Sequence, residues 1–512
     1  MKGIYTPLTK IRRQVFSELA RLAFEDLSLE TELNKSVFKI IPGQLPKFRD
    51  SIFKERAIVS ERLRLALGLP LRRLDEHRGM ESDLDFVNID KRAYSAPLVN
   101  VIPFACDACP EKTYLVTNNC RKCIAHPCKK VCPVNAIELK DNGAFIDTDK
   151  CIKCGKCKQA CPYSAIIQFD RPCASVCGVN AIESDELGRA KINEDKCVSC
   201  GMCMINCPFG AIADKSQIFQ LSKSLVKKEN KICAMIAPSF VGQFGPLASP
   251  SQILEGLKQL GFDDVFEVSL GADIVTIDEA KEFMEHVPND KPFLGTSCCP
   301  TWAMAAKKNF PEFQNYISSS STPMGVTARI IKKKYPNSKI VFIGPCIAKK
   351  LEALNEDFSP YVDFVITYEE LMGMFIGKDI ELSELENNEE INQSSFYGRE
   401  FASAGGVANA VSQLIKKDHP DMDLKIDSAS GLSECIKMLK IAKAGKRDGY
   451  LLEGMGCPGG CVGGPGTMLQ INKGKFQVTK FAKESPYKNP DENPLAIGYF
   501  KEDDLSDFKI IK

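Results

Sequence analysis

The sequence predicts an α/β domain of mixed sheets flanked by helices, preceded by two small cysteine-rich α+β modules and a mostly helical N-terminal region. Three observations carry this. The first hundred residues lack cysteine and space their apolar residues like a helix. The next stretch repeats one cysteine-containing unit. The remainder alternates short apolar runs with amphipathic segments. The 512 residues, 44% of them apolar, suffice for a large core and several domains.

Residues 1–100 read as the helical region. Lys10–Phe24 sets Ile11, Val15, Leu19 and Leu22 on one helix face, and Ser60–Leu69 predicts a second helix. No catalytic constellation falls here, so the region reads as accessory. Residues 101–215 contain the repeat: CPVNAI at Cys132, CPYSAI at Cys161, CGVNAI at Cys177 and CPFGAI at Cys207. Each copy marks one supersecondary unit. Residues 216–485 form the α/β domain, with strands expected in KICAMIAPSF, KIVFIGPCIA, DFVITY and GYLLEGMG. Helices are expected at Ser251–Leu260 and Val407–Lys416. Several strands run straight into loops of Gly, Pro and Cys. Open α/β sheets bind ligands beyond the carboxyl ends of their strands, so these loops are candidates for one site. Residues 486–512 read as a C-terminal tail.

Lys plus Arg number 67 and Asp plus Glu 66, and no basic run occurs, which argues against a nucleic-acid partner. No stretch approaches the roughly 20 apolar residues that span a bilayer. The first thirty residues lack the apolar core of an export signal, so a cytoplasmic protein is expected.

Cysteine is the informative residue. Of 23, 16 fall from Cys106 to Cys207. The reducing cytosol disfavours disulfides, and an odd count leaves no complete framework, so metal ligation is the better reading. Cys151, Cys154, Cys157 and Cys161-Pro follow the bacterial ferredoxin spacing, and Cys197, Cys200, Cys203 and Cys207-Pro follow it again. In that arrangement three thiolates wrap one 4Fe–4S cluster, and the fourth crosses to the other cluster of the pair. Zinc sites do not use this run. Cys120, Cys123, Cys128 and Cys132-Pro supply the partner of the first run. The crossing rule then groups Cys120, Cys123, Cys128 and Cys161 on one cluster, and Cys151, Cys154, Cys157 and Cys132 on another. The second run has an incomplete neighbour, Cys173 and Cys177. Its missing pair is Cys106 and Cys109 if a ferredoxin-like unit near residues 110–170 is inserted within the other. That yields a third cluster on Cys197, Cys200, Cys203 and Cys177, and a fourth on Cys106, Cys109, Cys173 and Cys207. All 16 cysteines are consumed; the alternative leaves Cys106 and Cys109 without a cluster. His126 reads as a solvated or packed side chain rather than a ligand.

Seven cysteines remain. Five lie in three loops: Thr296–Trp302 with Cys298 and Cys299, Gly344–Glu352 with Cys346, and Glu453–Gly464 with Cys457 and Cys461. These offer four or five thiolates at strand ends, with glycines that admit something bulky close to the backbone. The Gly-x-Gly-x-x-Gly match at Gly454–Gly459 lies inside the third loop and suits cluster binding better than a phosphate. Cys233 and Cys435 read as buried small hydrophobes.

On these three loops, in this order, the chain resembles the iron-only (FeFe) hydrogenases, and the likeness extends over residues 100–480 or so. The resemblance implies an H-cluster, a 4Fe–4S cubane joined through cysteine sulfur to a diiron unit bearing CO, cyanide and a dithiomethylamine bridge. By motif position, Cys299, Cys346, Cys457 and Cys461 would hold the cubane, with Cys461 bridging. Cys298 would face the amine and pass protons. Lys349 would donate to a cyanide, and Met455 with Ala237, Pro238 and Ser239 would line the diiron pocket. Glu279 and Glu282, one helix face apart, match the family's proton-relay glutamates, and Ser318 falls where its relay serine stands. Each glutamate alone reads equally as a solvated helix charge. The implied activity is reversible reduction of protons to dihydrogen. Its electrons would come through four accessory clusters from ferredoxin or a similar one-electron carrier, and maturation proteins would install the diiron unit. The family's pattern is broken by Gly344 before Pro-Cys, by Met324 after Thr322-Pro323, and by the Gly463-Gly-Pro-Gly466 ending. Alternatives are a hydrogen sensor, an electron-input subunit of a larger complex, and a non-catalytic iron–sulfur assembly or electron-carrier protein of the hydrogenase-like family.

Overall fold

The computed structural model describes residues 3–86, 88–89, 93–387 and 390–502. The chain begins with three helices, Pro7–Phe24, Leu29–Ile40 and Ile52–Ala66. Thr6 closes a capping box on Thr9, and Pro7 opens the first turn, where its missing N–H costs nothing. The apolar face of this helix, with Val15, Leu19 and Leu22, buries against the helices Tyr368–Gly377 and Ile218–Lys227. Two glycines make the approach possible. A Cβ at Gly373 would stand 2.5 Å from Phe16 Cβ, and one at Gly377 would stand 2.8 Å from Ser17 O. Leu19 and Leu63 therefore share one core with Ile236, Val341 and Leu371, and the first hundred residues have no separate body. The helix expected at Ser60–Leu69 starts earlier, at Ile52, because the Ser51 side chain accepts the Phe53 N–H. Its period is masked by buried charged residues, Glu55, Glu61, Arg62 and Arg64.

In the cysteine-rich region, Val99–Val101 pairs antiparallel with Ile212–Asp214, and a hairpin joins Ile182–Ser184 to Ala190–Ile192. Between them, Thr113–Val116 pairs with Ile166–Phe169 around the hairpin Ile137–Lys140 and Gly143–Ile146. One small α+β unit is thus enclosed within another. The repeat has a local cause. In each copy the third residue after cysteine is left-handed: Asn135, Ser164, Asn180 and Gly210, with φ between 49° and 60°. That turn aims the next N–H back at the sulfur, so Ala136, Ala165, Ala181 and Ala211 donate to Cys132, Cys161, Cys177 and Cys207 at 3.2–3.4 Å. Asn, Ser and Gly recur there because they tolerate this conformation.

The rest holds two sheets. One has the order Asp264–Glu267, Ile232–Ile236, Lys339–Gly344, Phe364–Thr367; the other has Phe293–Gly295, Tyr450–Met455, Lys425–Ser430. Both are wholly parallel rather than mixed, since helices return the chain between strands. Residues 486–502 are not a free tail. Asn493 Nδ2 donates to Asp273 Oδ2 at 2.8 Å, and Pro494–Glu502 packs as a helix on Val268–His286; residues 503–512 lie outside the described residues.

Candidate functional site

The carboxyl ends of strands from both sheets meet at one cavity. Ala237, Pro238 and Ser239 follow Ile232–Ile236. Cys298 and Cys299 follow Phe293–Gly295, Cys346 follows Lys339–Gly344, and Cys457 and Cys461 follow Tyr450–Met455. Met455, Lys349, Met324 and Phe342 complete much of the wall. The five cysteines are half-buried only because the cavity itself exposes them. Burial raises four of these thiols: Cys346 is pushed up to about 12, and Cys298, Cys299 and Cys461 also rise, with neighbouring thiols adding to Cys346 and Cys461. Thiols this costly to ionise unaided need a cation or metal beside them. Gly456 N–H already donates to Cys299 Sγ at 3.4 Å. The cradle is made by glycine: a Cβ at Gly463 would stand 1.8 Å from Pro458 O.

No three described His, Cys, Asp or Glu side chains close in as a site for one ion would require. Thiolates on the corners of an iron–sulfur cluster stand farther apart than ligands of one ion. Soft thiols from three loops, one ammonium and an otherwise largely apolar wall fit such a polynuclear group.

Lys349 does not face the cavity unpaired. Its Nζ donates to the buried Glu352 Oε2 at 2.5 Å, which leaves other ammonium protons for a ligand in the cavity. Ser239 Oγ lies 2.7 Å from Tyr368 Oη, and Tyr368 donates to Ala237 O at 2.9 Å, so Tyr368 fixes this wall. Lys350, the next residue, is fully buried and holds Asp214 at 2.8 Å and Glu370 at 2.8 Å, tying the outer cysteine-rich unit to the α/β body.

Glu279 and Glu282 sit on the helix Val268–His286, which runs behind the Cys298 loop. Ser297 donates both N–H and Oγ–H to Glu279 Oε1, at 2.7 and 2.9 Å. Burial raises Glu279 to about 8, although these bonds oppose it. Burial would raise Glu282 too, but Lys291, at 2.5 Å, and Ser318, at 2.7 Å, outweigh it and hold its carboxyl below the usual value. Two carboxyls one turn apart thus have opposite protonation preferences. Ser297 and Lys291 were not singled out by sequence. Ser297 is hidden inside the cysteine loop, and Lys291 reads as an ordinary surface charge.

The sixteen upstream cysteines also gather. Burial raises Cys128, and the thiols of Cys123, Cys161 and Cys120 add to it. Cys157 rises by burial, with Cys151 and Cys154 beside it, and Cys132 packs in the same cluster of side chains. Cys200 is pushed up to about 12 by burial and then by Cys177, Cys197 and Cys346. Cys106, Cys109, Cys173 and Cys207 line one small cavity. Cys200 therefore stands near Cys346 of the main cavity, and Cys203 is within electrostatic reach of Cys173. His126 caps a short helix in a left-handed conformation. Cys233 and Cys435 are fully buried, the latter with Sγ toward the Met455 carbonyl at 3.4 Å.

Residues 230–465 match the family model of the iron only hydrogenase large subunit, C-terminal domain. Residues 144–167 match a 4Fe–4S binding domain, and residues 167–218 match the LdpA Fe–S cluster-binding domain. Iron hydrogenase 1 of Clostridium pasteurianum is 27% identical over 445 residues, 76% of each chain. The periplasmic Fe hydrogenase large subunit of Nitratidesulfovibrio vulgaris is 30% identical over 372 residues, 63% of this chain and 85% of that protein. A probable cytosolic Fe–S cluster assembly factor of Drosophila grimshawi is 27% identical over 291 residues, 46% of this chain and 61% of its own. Among solved structures, the apo FeFe hydrogenase HydA1 of Chlamydomonas reinhardtii is 24% identical with a TM-score of 0.46, covering 55% of this chain and 94% of that one. The chain belongs to the iron-only (FeFe) hydrogenase family in the broad sense that includes its hydrogenase-like relatives. It is an iron–sulfur protein of that family.

One departure from the family's pattern faces the cavity: Met324 is fully buried in its wall. At another, a Cβ on Gly344 would stand 2.5 Å from the ring of Phe342, which itself lines the cavity.

Proposed function

We propose that the chain is an iron-only hydrogenase that interconverts two protons and two electrons with dihydrogen at an H-cluster. Cys299, Cys346, Cys457 and Cys461 would hold the cubane, with Cys461 bridging to the diiron unit. When bound, the H-cluster supplies the open metal site at which dihydrogen is made or cleaved. The chain's residues do the rest. Lys349, held in place by Glu352, anchors an anionic ligand. Pro238, Ser239 and Met455 exclude water from that side. Cys298 moves a proton between the cavity and Glu279, and Ser297, Glu282 and Ser318 extend the route outward. Four 4Fe–4S clusters on the upstream cysteines would relay electrons from ferredoxin or a similar carrier in the cytoplasm, and maturation proteins would install the diiron unit.

The observation that carries this reading is the pair of buried carboxyls behind the Cys298 loop, Glu279 hydrogen-bonded to Ser297 and Glu282 to Ser318, with Glu279 within electrostatic reach of Cys298. A protein that only stores or passes clusters needs four thiolates and no proton route. The second reading, an iron–sulfur assembly or carrier protein, is favoured by relatives named as assembly factors. Dihydrogen evolution from a reduced dye by the anaerobically matured chain separates the two. Turnover supports the hydrogenase; a full iron complement with no turnover supports the carrier.

A further inference from the structure

Cys106, Cys109, Cys173 and Cys207 share their surroundings with three arginines that form no ion pair among the described residues; the acids within electrostatic reach of Arg62, Glu369 and Asp214, are paired with Arg12 and Lys350. Arg171 is 4% exposed and lines the cavity itself. Its Nε and Nη2 donate to Cys109 O at 3.1 and 3.0 Å, Nη1 to Glu183 O at 3.1 Å, and Nη2 also to Gly188 O at 2.7 Å. Arg62 is 6% exposed and donates to Gly210 O, three residues beyond Cys207. Burial lowers its pKa to about 10, so it stays charged at neutral pH, and Cys207 lies within its electrostatic reach. Arg49 Nη2 donates to Ala105 O at 3.0 Å and Phe209 O at 2.7 Å, with its guanidinium over the Phe209 ring. Every acceptor of these bonds is a backbone carbonyl; one belongs to Cys109, and another, Ala105 O, immediately precedes Cys106. No guanidinium of the three forms an ion pair with a carboxylate among the described residues. The carboxylate at the rim, Asp107, is exposed and screened by solvent.

The other three cysteine sites differ. The loop of Cys197 takes a hydrogen bond from Lys308 at 2.7 Å, a contact open to solvent. Among the described residues, no buried arginine donates to the loops of the other three sites. Reduction adds one negative charge to an iron–sulfur cluster. Burial alone opposes that charge, whereas a buried cation a few ångströms away favours it strongly in a low dielectric.

We propose that Arg62, Arg171 and Arg49 are positioning residues that make the Cys106–Cys109–Cys173–Cys207 site the most readily reduced of the four accessory sites. This rests on the reading above, that these cysteines hold 4Fe–4S clusters. The site stands where the chain enters the enclosed unit after Cys109 and leaves it at Cys173, and Cys203 of the next site lies within electrostatic reach of Cys173. Along the chain it therefore forms a junction between the enclosed unit and the site of Cys197, Cys200, Cys203 and Cys177. One-electron reduction there takes an electron from a ferredoxin-class donor, oxidises that donor by one electron, and makes or breaks no bond. An electron parked at this junction is available for the second of the two transfers that dihydrogen formation needs. The proposal also gives the N-terminal region a function, since Arg62 lies on its third helix and Arg49 on the loop before that helix.

The test is a reductive titration of the anaerobically reconstituted full chain, followed by electron paramagnetic resonance. The signal lost in Cys109→Ala identifies the site. That signal is expected to appear first in the wild type. In Arg62→Gln its reduction equilibrium should become at least tenfold less favourable, a fall of about 59 mV for a one-electron couple. Arg62→Lys, which keeps the charge, should restore it, and the other signals should stay in place. Arg171 also holds three loops together, so Arg171→Gln is informative only if iron content is normal; Arg62 has a single hydrogen bond and avoids that difficulty. An unmoved potential in Arg62→Gln at full iron content overturns the proposal. Unchanged iron and spectra in Cys109→Ala would instead remove the fourth cluster, and with it the reading beneath the proposal.

Discussion

Ser297 gives both of its hydrogen bonds to one oxygen of Glu279, while the other oxygen, Oε2, is buried with no partner among the described residues. An unpartnered carboxyl oxygen is costly unless something transient completes it. In the proposed relay, a proton passing between Cys298 and Glu279 would be such a partner.

Glu279→Gln keeps the volume and the acceptor for Ser297 but cannot release a proton. Turnover in both directions should fall by about 10² or more, the range for losing a positioned acid–base group. Iron content should not change. Wild-type turnover in Glu279→Gln would show that the protons take another route.

Burial raises Glu279 to about 8, so it is neutral below that pH and charged above it. As pH rises through this value, the group loses the proton it donates inward and gains the capacity to accept one outward. Dihydrogen evolution should therefore fall through about pH 8 while dihydrogen oxidation rises, and both limbs should vanish in Glu279→Gln. Parallel profiles in variant and wild type would assign the limbs to another group.

Cys298→Ala should abolish turnover by a similar factor of about 10² or more and leave cubane iron in place, because Cys299, and not Cys298, is assigned to the cubane. Iron loss comparable to that of Cys299→Ala would make Cys298 a ligand.

Neighbouring lysines should respond in opposite ways. Lys350→Met strands Asp214 and Glu370 without their cation in the interior, at a cost of about 3–5 kcal/mol, read as a lower midpoint of anaerobic denaturant unfolding. Lys349→Met leaves only Glu352, which neutralises more readily because burial already raises its carboxyl. Its unfolding midpoint should move less while turnover is lost. Equal shifts would deny Lys349 a role at the cavity.

The parts of the site legible in sequence are those whose chemistry is local. A left-handed Asn, Ser or Gly three residues after cysteine, with the next N–H aimed at sulfur, accounts for each copy of the Cys-x-x-x-Ala-Ile repeat. The three cysteine loops carry their own glycines and prolines, so their identity survives without any knowledge of the sheets that deliver them. What sequence hides is long-range. Nothing local marks Arg62 or Lys350 as buried, and only the packed chain brings Arg62 to Gly210 O and Lys350 to Asp214, each more than a hundred residues away. The first hundred residues look separable for the same reason: their partners, Gly373 and Gly377, lie more than three hundred residues downstream. Parallel pairing is equally invisible in a short apolar run, since it depends on the connection rather than on the strand.

The most direct test of the central claim is infrared spectroscopy of the chain after anaerobic maturation. The hydrogenase reading predicts the CO and cyanide stretching bands of a diiron unit, lost when Cys461 is replaced. Absence of those bands, in a preparation that matures a control hydrogenase and fills the cubane sites with iron, would contradict it and leave an iron–sulfur carrier.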